Sequence, residues 1–241
     1  MSRRLFFEVS PIEAVTQTVE RAVQFFRDAR EPHALLWLEL MHRRFGIAAF
    51  AGSLQRFDQL LAEQPAQAPR HRVFRRIADP GTELRRDDLD AITHPSDEII
   101  VSALYCDRLG LPPSFPAVLG KAVSSGGYYC THALLAWIWL KEFGAALELA
   151  PGFVEDLFAA NAAIVNEPVK TVTDLKLEAA AFLYLAGQGA RVDAAFIDRV
   201  SNTQNADGGW GQVRGRPGVS DWHGTVLGLL LLLQAQQAAA G

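Results

Sequence analysis

The sequence has only two cysteines, Cys106 and Cys130, too few for a disulfide framework, so a reducing compartment is the default expectation. It also lacks a surplus of positive charge: 23 Lys and Arg stand against 27 Asp and Glu, with a pI of about 5.9. A net charge of −4 argues against nucleic acid or an anionic membrane as an electrostatically recruited partner. The one basic cluster, Arg70, Arg72, Arg75 and Arg76, is followed closely by acids and reads as a solvated loop. Long apolar runs are missing too. The longest, 226–233, falls far short of the roughly 20 residues that span a bilayer. Near the N-terminus Glu8 interrupts the apolar stretch a signal peptide would need. These absences lead to the expectation of a cytoplasmic chain with no membrane span. Finally, β-branched residues do not alternate over any run of five, so no strand is expected.

What remains is helical, and hydrophobic residues make up 49% of the 241, enough for one sizeable core. A single domain over 1–241 is expected. Ile12, Val15, Val19, Val23 and Phe26 recur at helical spacing over 11–30. Further helices are predicted over 33–45, 53–63, 96–109, 113–123, 131–143, 151–165, 173–186, 193–203 and 220–234. Gly46, Gly110, Gly144 and Gly187 or Gly189 act as stops, with Asp193 and Ser220 as N-caps. Residues 64–95, rich in Pro, Arg and Asp, are read as an irregular excursion.

Five of these helices are apolar nearly all round, the mark of full burial. They start at His33, Glu98, His132, Leu177 and His223, and the last three starts lie 45 and 46 residues apart. The helices between them are amphipathic. A buried helix alternating with a half-exposed one at this period points to helix-pair repeats. The expected fold is all-α, an (α/α) toroid of five or six pairs with an apolar inner ring, and a superhelical solenoid is the alternative.

The most distinctive stretch is Gln204-Asn205-Ala206-Asp207-Gly208-Gly209-Trp210-Gly211, followed by Ser220-Asp221-Trp222-His223-Gly224-Thr225. Gln204-x-x-x-Gly208-x-Trp210 resembles the QW motif of squalene and oxidosqualene cyclases. The fuller run is similar to the repeat of protein prenyltransferase β subunits. The resemblance implies a toroid with a central apolar cavity, a small apolar substrate, possible isoprenoid chemistry and a partner subunit or homo-oligomer. Prenyltransferases of this kind hold zinc with an Asp and a Cys from one turn and a His at the start of a later inner helix. Asp207 and His223 match two of these positions, and Gly209 stands at the third. The cyclases protonate their substrate with a DxDD motif, to which Asp87-Asp88-Leu89-Asp90 is the nearest string, read as a solvated acidic turn. Trp222-His223-Gly224 also resembles lanthipeptide cyclases, where a Cys precedes the His.

In a toroid the five inner starts would gather at one mouth of the cavity. His33, His132 and His223, with Cys130 two residues before His132, form a candidate set of ligands for a divalent metal such as zinc or iron. Asp207, Asp221 and Glu98 are the candidate acids and bases, with Asp97 and Glu178 beside equivalent starts. The alternative is that these histidines merely cap helices or bond loop carbonyls. Trp37, Trp137, Trp139, Trp210, Trp222 and the four tyrosines would line the cavity or simply fill the core. The functional expectation is an enzyme acting on an apolar molecule with the help of a metal, and the alternative is a non-catalytic toroid that binds a peptide or partner at its mouth or at 64–90.

Overall fold

The computed structural model describes residues 11–168, 171–211, 216 and 218–240. Among them are thirteen α-helices and no strand. In order these are α1 (Pro11–Phe25), α2 (Pro32–Phe45), α3 (Ser53–Glu63), α4 (Ala68–Arg72), α5 (Arg86–Asp90), α6 (Pro95–Leu104) and α7 (Cys106–Leu109). They continue with α8 (Phe115–Ser125), α9 (Gly127–Glu142), α10 (Phe153–Asn166), α11 (Asp174–Leu185), α12 (Ala194–Asn202) and α13 (Trp222–Ala240). None is long and apolar enough to cross a membrane.

Local chemistry sets the helix ends. Pro32 supplies a helical φ in the first turn of α2, while the Glu31 carboxylate accepts the Ala34 N–H at 2.7 Å. Thr173 caps α11 through the Lys176 N–H and Asp193 caps α12 through the Ala195 N–H. At α13 the cap is Asp221, which accepts the Gly224 N–H at 2.7 Å, and not Ser220. The Ser220 hydroxyl is already committed to Asp207. The helix expected over 96–109 is divided at Tyr105, whose φ of −113° leaves the helical range and separates α6 from α7.

The packing order follows from which helices are apolar all round. α6 packs on α9, α9 on α11, α11 on α13 and α13 on α2. The 3₁₀ turn Arg75–Ile77 packs against α2. α3, α8 and α10 cover the outsides of α2, α9 and α11, and α1 lies against α13. One continuous apolar core results, including Leu38, Trp139, Leu183 and the run Leu229 to Leu232, all shut off from solvent.

The Gln204–Trp210 turn joins three helices. Trp210 is buried, and its indole N–H donates to the Val200 carbonyl of α12 at 2.7 Å. The ring lies on α13 at Gly228, where a Cβ would stand only 2.7 Å from it. Gly208, at φ +91°, brings the turn against α1 so closely that a Cβ would meet the Arg21 carbonyl at 2.5 Å. The Gln204 amide reinforces this by donating to the Thr18 carbonyl.

The 64–95 segment departs from its reading as a solvated excursion. It forms α4, a 3₁₀ turn and α5, and Arg72, Arg75 and Arg76 are held in ion pairs. Arg76 is 3% exposed, makes a two-pronged pair with Asp107 at 2.6 and 2.7 Å, and lies 3.9 Å above the Phe143 ring. Arg75 pairs with Asp58 and Asp79, and Arg72 with Asp88 at 2.6 Å. Asp88, buried, also accepts the Arg85 N–H at the start of α5. The Asp87-Asp88-Leu89-Asp90 string therefore includes a buried structural carboxylate, with Asp87 on the same arginine. Solvation holds for Arg70, Asp87, Leu89 and Asp90, which are exposed, and fails for Arg76 and Asp88, whose partners Asp107 and Arg72 sit well apart in the chain, out of reach of any local pattern.

Candidate metal centre

Three helix starts come together because α9, α11 and α13 pack side by side. Asp174 and Glu178, four residues apart, share one face of the first turns of α11. His223 occupies the first turn of α13, and Tyr128, Thr131 and His132 the first turns of α9. Asp174, Glu178 and His223 each offer a ligand atom, and these atoms lie within 4.8 Å of one another. His223 Nδ1 is 3.0 Å from both Asp174 carboxylate oxygens, and its Nε2 is 3.5 Å from Glu178 Oε2. The Tyr128 hydroxyl donates to Asp174 Oδ2 at 2.8 Å, and the Thr131 hydroxyl donates to Glu178 Oε1. His132 Nδ1 is 2.7 Å from the Tyr128 carbonyl and 3.4 Å from Glu178 Oε1.

Burial and charge pull these groups in different directions. Burial pushes Glu178 above the usual carboxylate range, and the neighbouring His132, Thr131 and His223 offset this only in part. Burial also acts on Asp174, but the hydrogen bonds from His223 and Tyr128 outweigh it and hold that carboxyl below its ordinary value. For His223, burial favours the neutral ring, yet Asp174, Glu178 and Asp221 together raise it above the usual histidine value. Two carboxylates and an imidazole form a donor set that suits a divalent ion such as zinc, iron or manganese.

Glu178 and His223 of the cluster open on a cavity of about 120 Å³ reached by α2, α6, α9, α11, α13 and the Phe74–Ile77 region. His33, Asp97, His132, Glu178 and His223 supply its polar lining, and Trp37, Ile100, Leu135, Phe182 and Val226 are among its apolar walls. Trp37 and Phe182 stack with centroids 6.1 Å apart.

The expected site residues divide between this cavity and other places. His33, His132 and His223 all line it. His33 is tied up, however: its Nε2 is 3.0 Å from His71 Nδ1, and His71 Nε2 accepts the Arg70 Nε–H at 3.2 Å. That arrangement makes His71 Nδ1 the donor and His33 Nε2 the acceptor. Burial, with the nearby His71 and Arg70, pushes His33 down to about 4. Glu98 faces a separate groove between α6 and α8, while its neighbour Asp97 lines the cavity. Cys130 is buried beside Asn161, whose amide donates to its sulfur at 3.3 Å, and burial pushes the thiol up to about 11. Asp207 clamps the turn, accepting the Gly209 N–H, the Ser220 N–H and the Ser220 hydroxyl. Asp221 caps α13. A side chain at Gly209, where the prenyltransferase pattern has cysteine, would find its Cβ 2.5 Å from Ser220 Cβ and Thr225 Oγ1. The place for that thiolate is filled.

Asp174 is the member of the cluster that sequence reading passed over. Its signal was the Asp174-x-x-x-Glu178 spacing at the head of an otherwise apolar helix. No family model, curated protein or solved structure matches the chain.

Proposed function

We propose that the protein is a metal-assisted enzyme acting on a small apolar molecule, with its metal centre at the cluster of Asp174, Glu178 and His223. The observation that carries this reading is one cluster of two carboxylates and an imidazole, of which Glu178 and His223 line a cavity with largely apolar walls. We further propose that α2, α6, α9, α11 and α13 are the inner helices of an (α/α) toroid. Their order of packing and their shared cavity support that arrangement.

A divalent ion at such a site supplies Lewis acidity toward a substrate oxygen, or a water made acidic enough to react near neutral pH. The chain's own residues have distinct tasks. Trp37, Leu135, Phe182 and Val226 would hold the apolar body of the substrate and exclude water from it. Glu178 brings negative charge into a desolvated setting, where it attracts a cation strongly. His132, with Nδ1 directed to the Tyr128 carbonyl, presents its other ring nitrogen for proton transfer.

The test is elemental analysis of the purified protein, followed by calorimetric titration of chelator-treated protein with Zn²⁺ and Mn²⁺. About one ion per chain is expected, with binding lost in His223→Ala and in Glu178→Gln. Protein that carries no ion and gives no saturable heat with either would refute the reading.

A further inference from the structure

Resting on the metal reading, we infer that the ion is held between Glu178 Oε2 and His223 Nε2, and that Asp174 is a positioning residue that orients the imidazole. For the imidazole two arrangements are exclusive, because the two ring nitrogens of His223 point to opposite sides. Either an ion bonds Nε2 on the Glu178 side while Asp174 receives the Nδ1–H, or it bonds Nδ1 on the Asp174 side while Glu178 receives the Nε2–H.

Three observations favour the first. Nδ1 sits 3.0 Å from both oxygens of Asp174, the distance of a hydrogen bond and shorter than the roughly 3.4 Å between two ligands of a tetrahedral ion. Nε2 and Glu178 Oε2 are 3.5 Å apart, close to the roughly 3.4 Å between two ligands bonded at about 2.0–2.1 Å to a tetrahedral ion. The environments also differ: the Asp174 carboxylate is 29% exposed and already receives the Tyr128 hydroxyl. The Glu178 side chain is 1% exposed, with Oε1 taken by Thr131 and Oε2 turned to His223. A carboxylate that deeply buried, with Oε2 facing the His223 imidazole and Oε1 near His132, is the one whose desolvation a cation would relieve. Histidine ligands whose second N–H is held by a carboxylate are a recurring design, and losing that partner weakens metal affinity about 10–100-fold without removing a ligand.

Co²⁺ is the probe, since its visible absorption reports the atoms bonded to it, and Zn²⁺ competition gives the affinity. Glu178→Gln and His223→Ala should abolish the Co²⁺ band and lower affinity more than about 100-fold. Asp174→Asn, which keeps an oxygen to accept the Nδ1–H, should keep the band and lower affinity about 10-fold or less. The inference is overturned by the reverse pattern, or by loss of the band in Asp174→Asn and Glu178→Gln alike. Should Asp174→Asn not fold by circular dichroism, Tyr128→Phe takes its place: a retained band with weakened affinity supports the inference, and a lost band overturns it. A wild-type chain that binds neither ion sinks the metal reading itself, which separates the two failures.

Discussion

Gly228 and Trp210 make a pair whose coupling can be worked out beforehand. A Cβ at Gly228 would lie 2.7 Å from Trp210 Cε3 and 2.8 Å from Cδ2. The ring cannot swing away, because its N–H is bonded to the Val200 carbonyl and the Trp210 backbone N–H to the Thr225 hydroxyl. Gly228→Ala therefore overpacks a fixed contact, costing about 1–3 kcal/mol. The usual helical gain of alanine over glycine, about 0.5–1 kcal/mol, offsets part of this. The net loss should be about 1–2 kcal/mol by these two terms. Trp210→Ala by itself should cost about 3–5 kcal/mol, as a large buried ring is lost. In that background the obstruction is gone, so adding Gly228→Ala should stabilise by about 0.5–1 kcal/mol. The coupling energy is then about 1.5–3 kcal/mol, with a reversal of sign between backgrounds. Urea denaturation followed by far-UV circular dichroism measures it through shifts of midpoint at unchanged slope. Gly228→Ala effects of the same sign and size in both backgrounds would refute the claim that the two residues are wedged together.

The His33–His71 pair should make stability depend on mildly acidic pH. An unfolded chain takes up a proton on His33 near 6.5, while the native one resists until about 4. The contribution is thus complete above about pH 6.5 and drains away toward pH 4 at up to about 1.4 kcal/mol per pH unit, with His71, also lowered by burial, acting in the same sense. The difference between wild type and His33→Phe across that window isolates the effect, and parallel curves would contradict it. Arg76→Ala should cost about 3 kcal/mol, the low end for breaking a buried pair, because Asp107 is half exposed and can regain water. Arg76→Lys should recover little of this in thermal denaturation, since an ammonium cannot reproduce the two-pronged contact.

Much of the helical framework was legible because burial on all sides leaves an apolar pattern that no other arrangement requires. The glycine stop after α2 followed from the same pattern, and Gly46 is left-handed at φ 69°. The shared cavity of His33, His132 and His223 was approachable by aligning helix starts, since helices packed side by side carry equivalent residues to one end. Asp174 was hidden by its ordinary position, where an acid in a first turn usually answers the helix dipole. Asp207 was misleading for the opposite reason. Its motif drew attention to chemistry, while the structure uses its oxygens to hold a loop together. The burial of Arg76 depends on Asp107, 31 residues away, and on Phe143, farther still.

The central place of α13 has a consequence for how the protein is made. Its apolar surface is what α2, α11 and Trp210 pack against, yet it is synthesised after all of them. On a ribosome the facing side of α2 would stay bare while most of the sequence is being translated, and that of α11 until α13 follows it. Contacts such as α2 with α13 link residues on the order of 190 positions apart, which slows folding relative to a bundle closed by local pairs. The nascent chain is therefore at its most aggregation-prone shortly before α13 emerges, the window in which a chaperone would hold it.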